Sequence, residues 1–251
     1  MTKIIPVVTQ KGGVGKTTVA FNLAKASSEV LKLRTAVIDL DGQANLSMSL
    51  SGSEEIKQRF TDGADELFLN GKLPVPTKTT HGIDLFHGHA KIDRIDHDDD
   101  ISERALSTEL RDRLRTLPYD VIIVDTPPAI GLRHMAPLYW ASTVVIPMVP
   151  DSDSLIGAQD TVAAINIAKK VNKNIKWMTV LNKIKKSSKS HQEVIAWVRD
   201  HYPAQLVAEL GDRVPVADAR DRDEPQSVWQ YRGSPKQLRE QWLDFCRKVL
   251  S

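Results

Sequence analysis

Cysteine is nearly absent from this sequence of 251 residues, where Cys246 stands alone. An intrachain disulfide is therefore impossible, and a lone thiol fits a reducing compartment. No stretch approaches the ~18 consecutive apolar residues of a membrane-spanning helix. The N-terminus leads into a short apolar run and a glycine loop, without the apolar core and cleavage site of a secretory signal. Internal repeats and low-complexity linkers are missing as well. So is an excess of one charge: 34 Lys and Arg stand against 32 Asp and Glu, a formal net charge of +2. That excludes binding to nucleic acid through total charge and leaves only a local patch to do it. What remains is ordinary for a globular chain, 41% hydrophobic and 26% charged, with enough length for one large buried core.

The apolar pattern alternates between short β-branched runs and segments of helical spacing. Strands are expected at Ile4–Thr9, Thr35–Leu40, Ile83–His87, Val121–Val124, Thr143–Met148 and Trp177–Leu181. Helices are expected over Gly15–Leu31, Ile101–Leu117, Ser152–Val171, Ser188–His201 and Pro235–Leu250. The stretch from 51 to 100 carries little pattern. Alternating strands and helices imply an α/β fold with a mainly parallel twisted sheet flanked by helices, whose ligands bind beyond the carboxyl ends of the strands. The loops after Thr9, Leu40 and Val124 should converge on one crevice.

Gly12-Gly13-Val14-Gly15-Lys16-Thr17-Thr18 lies between a predicted strand and a predicted helix, as a phosphate-binding loop requires. Glycines let backbone N–H groups turn toward phosphate oxygens, and the helix N-terminus adds a positive dipole end. Lys16 then supplies an ammonium to the β- and γ-phosphates, and the Thr17 hydroxyl is a Mg²⁺ ligand. The usual first glycine is replaced by Gln10, so the loop is a variant. Asp125, ending an apolar strand, is the expected second carboxylate that holds Mg²⁺ through water. Asp39 and Asp41, two apart, are expected on one face of their strand, one tuning the metal shell and the other positioning a water.

Three motifs together resemble the ParA/MinD class of P-loop ATPases. Lys11-Gly-Gly-Val-Gly-Lys16-Thr17-Thr18 resembles its deviant Walker A loop, Asp39-Leu-Asp41-Gly-Gln43-Ala-Asn45 its D-x-D-P-Q-x-N switch, and Val124-Asp125-Thr-Pro-Pro128 its second carboxylate motif. Gly42 departs from the family's common proline, which implies a more flexible switch. The resemblance implies ATP and Mg²⁺ as ligands and an ATP-dependent homodimer in which Lys11 reaches the partner's phosphates. It further implies Lys16 and Lys11 on the γ-phosphate, Thr17, Asp39 and Asp125 around the metal, and Asp41 as the water-positioning group. Asn182 resembles the family's adenine-reading position, and Pro215 lies in a segment that resembles the loop packed over the base. A lone cysteine excludes the iron–sulfur relatives of this class.

Cargo is expected from charge. No Asp or Glu occurs from Thr161 to Gln192, while Lys169, Lys170, Lys173, Lys176, Lys183, Lys185, Lys186 and Lys189 do, followed by Arg199, Arg213, Arg220 and Arg222. Such a run suits nonspecific DNA phosphates. The C-terminal segment spaces Leu238, Trp242, Phe245 and Val249 as one apolar stripe, either docked on the core or set in a membrane surface as in MinD-type relatives. His87, His89 and His97 lack a tetrahedral ligand framework. The expectation is thus a ParA-type partition ATPase of one domain, 1–251, without a separate N-terminal DNA-reading domain. It would be cytoplasmic and nucleoid-associated, bind nonspecific DNA, and be released by a ParB-like centromere-binding partner. The alternatives are a MinD-like membrane-associated positioning ATPase, a DNA-tracking ATPase that positions a protein assembly, and a nucleotide-binding regulator with negligible turnover.

Overall fold

The computed structural model describes residues 1–69, 73–97, 105–106, 108–221 and 223–251. Its centre is an eight-stranded sheet of β1 (Lys3–Val7), β2 (Thr35–Asp39), β3 (Thr77–Lys78), β4 (Ile83–Phe86), β5 (Val121–Asp125), β6 (Thr143–Met148), β7 (Lys176–Ile184) and β8 (Leu206–Gly211). The spatial order is β3-β4-β2-β5-β1-β6-β7-β8, and every pairing is parallel except the short β3 against β4. The expected α/β architecture is therefore present.

Burial explains the sheet. In β1, β2 and β5, alternate residues enter two different apolar clusters. Ile5, Val7, Val37 and Ile123 pack on one face, and Ile4, Ile38, Ile122 and Val124 on the other. A strand covered on both faces reads as a continuous apolar run rather than an alternating one. The first face is covered by α1 (Lys16–Lys25) and the C-terminal helix, with Phe21, Trp242 and Phe245 in the cluster. α2 (Asn45–Ser51) joins the same cluster through Leu46 and Leu50, whereas α3 (Glu66–Leu69), α4 (Thr108–Thr116) and α5 (Leu132–Trp140) supply Phe68, Leu114 and Trp140 to the second face. A third cluster joins β6 and β7 to α6 (Ser152–Ala168) and α7 (Lys189–His201). The chain ends with α8 (Val214–Arg220) and α9 (Lys236–Leu250).

Register fixes the site. β5 pairs residue for residue with both neighbours, which sets Val7, Asp39 and Asp125 in one row at the carboxyl ends of β1, β2 and β5. The α1 helix continues as a π-helical turn over Ala26–Val30 before β2. The expected helix over Ile101–Leu117 is described from Thr108 to Thr116, and its amino-terminal part, with the acidic run before it, lies outside the described residues.

Candidate functional site

The crevice opens where β1 gives way to α1. Gly13 and Gly15 adopt left-handed φ values of 75° and 95°, which a side chain disfavours. At Gly15 a Cβ would also lie 2.6 Å from the Asn182 amide nitrogen. Lys16 is buried and its Nζ donates to the carbonyls of Thr9 at 3.0 Å and Lys11 at 3.1 Å. Burial lowers its pKa, against the opposing pull of Asp125 and Asp41. An ammonium held in a site that disfavours its charge gains most from an incoming anion.

Asp125 and Asp39 are both fully buried side by side. Burial raises the pKa of each, and for Asp125 the neighbouring Asp39 raises it further, while Thr17 and Lys16 oppose the shift. Their environments differ. The Oδ2 of Asp39 accepts from the Ser47 amide at 2.9 Å and hydroxyl at 2.6 Å, and its Oδ1 from the Asp41 amide at 3.1 Å. Ser47 Oγ in turn accepts from the Gly88 amide at 2.9 Å. Neither oxygen of Asp125 has a hydrogen-bond partner, and the Thr17 hydroxyl favours its ionised form without completing a bond. A buried carboxylate with free lone pairs beside a phosphate loop fits a hard cation and its waters.

Asp41 corrects the expectation of a shared strand face. The β2 strand ends at Asp39, so a period of two no longer applies. Asp41 sits in the following turn, half-buried, and its Oδ1 accepts from the Gln43 amide at 2.9 Å. It still borders the crevice, since its charge acts on both Lys16 and Asp125.

Lys11 stands on the other wall. Its Nζ pairs with Asp153 Oδ2 at 2.6 Å, in the first turn of α6, and that contact raises its pKa. Asn182, at the end of β7, donates to the Val14 carbonyl at 2.9 Å. A second cavity of about 310 Å³ is lined by Thr18, Asn182, Lys183, Arg213 and Arg220 among others. Arg220 donates to the Thr18 hydroxyl at 2.8 Å. Pro215 instead lines a neighbouring cleft of about 1000 Å³ with Lys186, Arg199 and Arg213. Sequence reading missed Ser47, eight residues beyond Asp39, as well as Asp153 and the inward turn of Arg220; the last two make contacts between segments far apart in the chain, which no local pattern marks.

The lysine run does not form one patch. Lys169, Lys170, Lys173 and Lys176 surround the amino-terminal end of β7, whereas Lys183 is its penultimate residue and Lys185, Lys186 and Lys189 follow it. Seven residues of strand separate the two groups by roughly 23 Å. Lys183 instead reaches the glycine loop: its φ is 52° and its Nζ donates to the Gly13 carbonyl at 2.7 Å. Arg199 is paired with Glu209 at 2.7 Å. Arg222 lies outside the described residues. Lys185, Lys186, Lys189 and Arg213 remain exposed at the carboxyl end.

The C-terminal stripe is docked. Leu238, Trp242, Phe245 and Val249 are all buried in the first cluster. No helix among the described residues is long and apolar enough to cross a membrane. His87 and His89 are buried near Asp65, with His89 Nε2 2.8 Å from its Oδ1, and among the described residues no group of three such side chains is arranged to hold a metal.

A family model described as an AAA domain matches residues 2–177. The chromosome partitioning protein ParA of Myxococcus xanthus is 31% identical over 220 residues, covering 81% of this chain and 73% of that one. Among solved structures, McdA of Cyanothece in complex with ATP superposes with a TM-score of 0.84 at 19% identity, covering 99% of this chain and 96% of that one. A putative plasmid partition protein of Borrelia burgdorferi bound to AMPPNP gives 0.77 at 20% identity, with 99% of each chain covered.

Proposed function

The chain belongs to the ParA family of P-loop partition ATPases, and from that premise we propose that it is a nucleotide-switched dimer that binds DNA without reading its sequence. ATP occupies the crevice above β1, β2 and β5. Two copies close face to face, each Lys11 reaching the other's phosphates. A ParB-like partner accelerates an otherwise slow hydrolysis, and the dimer lets go of DNA. The cargo so positioned is a plasmid or a chromosome region.

One observation carries this reading: a buried, destabilised Lys16 ammonium lies near a buried Asp125 without hydrogen-bond partners, beside a loop whose Gly13 and Gly15 take left-handed φ values. Gly12, Gly13, Val14, Gly15 and Thr18 complete the cradle. Asp125 and the Thr17 hydroxyl would hold Mg²⁺, and Asp39, fixed by Ser47, supports that shell. When bound, the ion supplies divalent charge that offsets the β- and γ-phosphates. Asp41, beyond the end of β2, orients the attacking water. Asn182 and the segment of Pro215 flank the space for the base.

DNA binding is assigned to the exposed cations at the carboxyl end of β7: Lys185, Lys186, Lys189 and Arg213. Lys183 is left out because its ammonium is committed to the Gly13 carbonyl. The test is co-sedimentation with DNA in ATP, ADP and no nucleotide. ATP alone should give strong pelleting. Replacing Lys185, Lys186 and Lys189 with Ala should weaken it and flatten the log–log salt slope by about two to three. Equal pelleting in all three conditions would reject the nucleotide switch, and an unmoved slope would reject this surface.

A further inference from the structure

Arg133 is a buried arginine in the first turn of α5, and its guanidinium turns toward the switch rather than toward solvent. Its Nη1 donates to the Leu40 carbonyl at 3.0 Å and to Asp93 Oδ1 at 2.6 Å. Its Nε and Nη2 both donate to Asp96 Oδ2, at 2.9 and 2.7 Å, while its own amide donates to Asp96 Oδ1 at 2.9 Å. Asp93 and Asp96 lie on the 3₁₀ helix Ala90–His97. Three segments thus meet on one side chain: the end of β2, that 3₁₀ helix, and the helix that follows the Asp125 motif.

Two glycines shape themselves to this clamp. A Cβ on Gly42 would fall on the Asp93 carboxylate, and one on Gly131 would fall on the Asp96 carboxylate. The glycine at 42, where proline is common in the family, therefore has a local reason: it leaves room for the acid that binds Arg133. Leu40 is the residue between Asp39 and Asp41, so a bond to its carbonyl holds the backbone that leads into Asp41.

We infer that Arg133 is a positioning residue for ATP hydrolysis, which holds Leu40 so that Asp41 stands correctly over the crevice, and that Gly42 is required for Asp93 to close the clamp. The kinetic consequence rests on the hydrolysis reading above; the clamp itself rests on the contacts. Arg133 touches neither the phosphate loop nor Asp125 in the contacts described, and it acts through the switch backbone. A buried arginine with three acceptors is also costly to strip of one partner, because the remaining groups are left uncompensated.

The experiment compares Arg133→Met, Arg133→Lys, Gly42→Ala, Asp93→Ala and the Gly42→Ala/Asp93→Ala pair, by amide hydrogen exchange without nucleotide and by steady-state hydrolysis. Arg133→Met should speed exchange of residues 40–47 by about tenfold while β1 and β5 stay protected. It should lower kcat by about 10- to 100-fold with ATP affinity within about twofold, since misplacement costs the chemical step. Arg133→Lys, which keeps a donor, should recover part of both effects. Gly42→Ala should act in the same direction, and should add nothing once Asp93 is Ala, because the two share one contact. Should Arg133→Met fail to fold, the Gly42 and Asp93 pair decides by the same two measurements. Unchanged exchange at 40–47, a loosening that spreads equally to β1 and β5, or additive effects in the double variant would overturn the inference. A wild-type protein that does not hydrolyse ATP would instead defeat the function proposed above, while the exchange result still judges the clamp.

Discussion

Asp125 carries a cost that Thr17 and Lys16 offset only in part: both oxygens are buried without hydrogen-bond partners. Burial and Asp39 raise its pKa above the ordinary carboxylate range. The folded state then holds a proton that the unfolded chain has lost, so stability falls as pH rises from about 4 through the raised folded value. Asp125→Asn removes that titration. In the absence of nucleotide and metal it should stabilise the protein by on the order of 1–3 kcal/mol near neutral pH, and the gain should shrink toward zero or below as pH is lowered to about 4. Urea unfolding of both proteins across that range checks the sign. Burial lowers the pKa of His87 and His134, so their contributions fade on acidification. Both proteins share those terms, and they cancel in the difference. A gain that is flat with pH would mean Asp125 is already ionised in the folded chain. The same variant should lose Mg²⁺-dependent nucleotide binding, since an amide cannot supply the anionic oxygen. A residue that weakens the fold and strengthens when its ligand arrives is what a functional site asks of a carboxylate.

For elements, α9 offers the clearest test. Its stripe has two readings in the sequence, docked helix or membrane anchor, and spacing alone is identical for both. Packing separates them, because Trp242 and Phe245 are fully buried against α1 and the sheet, with ring centroids 6.0 Å apart. Trp242→Ala should cost about 3–5 kcal/mol. Trp242→Phe should cost much less, under about 1.5 kcal/mol, since the buried indole N–H has no acceptor to lose. Thermal unfolding of the two variants measures this. An equal loss in both would show that the aromatic ring retained in Trp242→Phe does not hold the helix in place, and flotation of intact protein with liposomes would show that the helix leaves the core. The same contrast explains what was legible in advance. Strands β1, β2, β5 and β6 were readable because burial on both faces leaves an apolar run, and α6, α7 and α9 because of their spacing. Helix α5 was not, since Pro137 and Arg133 interrupt its apolar face. Nor was β8, an edge strand whose residues are mostly half-buried. The phosphate loop was legible because it is contiguous. The lysine patch was misread because neighbours in sequence stand at opposite ends of β7.

At the scale of the whole molecule, the row of Val7, Asp39 and Asp125 and the loop of Lys16 lie at the carboxyl ends of the central strands, and Lys11 stands at their margin. Its ammonium is committed to Asp153, on a different helix. An ion pair so open to solvent contributes little. It holds Lys11 in place without locking it there, which on the proposed dimer leaves the charge free to meet a triphosphate on a second copy. Lys11→Ala should therefore keep ATP binding and lose ATP-dependent doubling of mass by light scattering, with hydrolysis blocked by Asp41→Ala. Asp153→Ala should dimerise at least as readily as the parent. If Lys11→Ala still doubles in mass, the lysine acts on its own nucleotide. If the parent itself stays single under saturating ATP and Mg²⁺, two copies do not close around the phosphates. In the proposed dimer a weak Lys11–Asp153 contact favours closure, because a stronger pair would hold the charge at home and make closure compete with it.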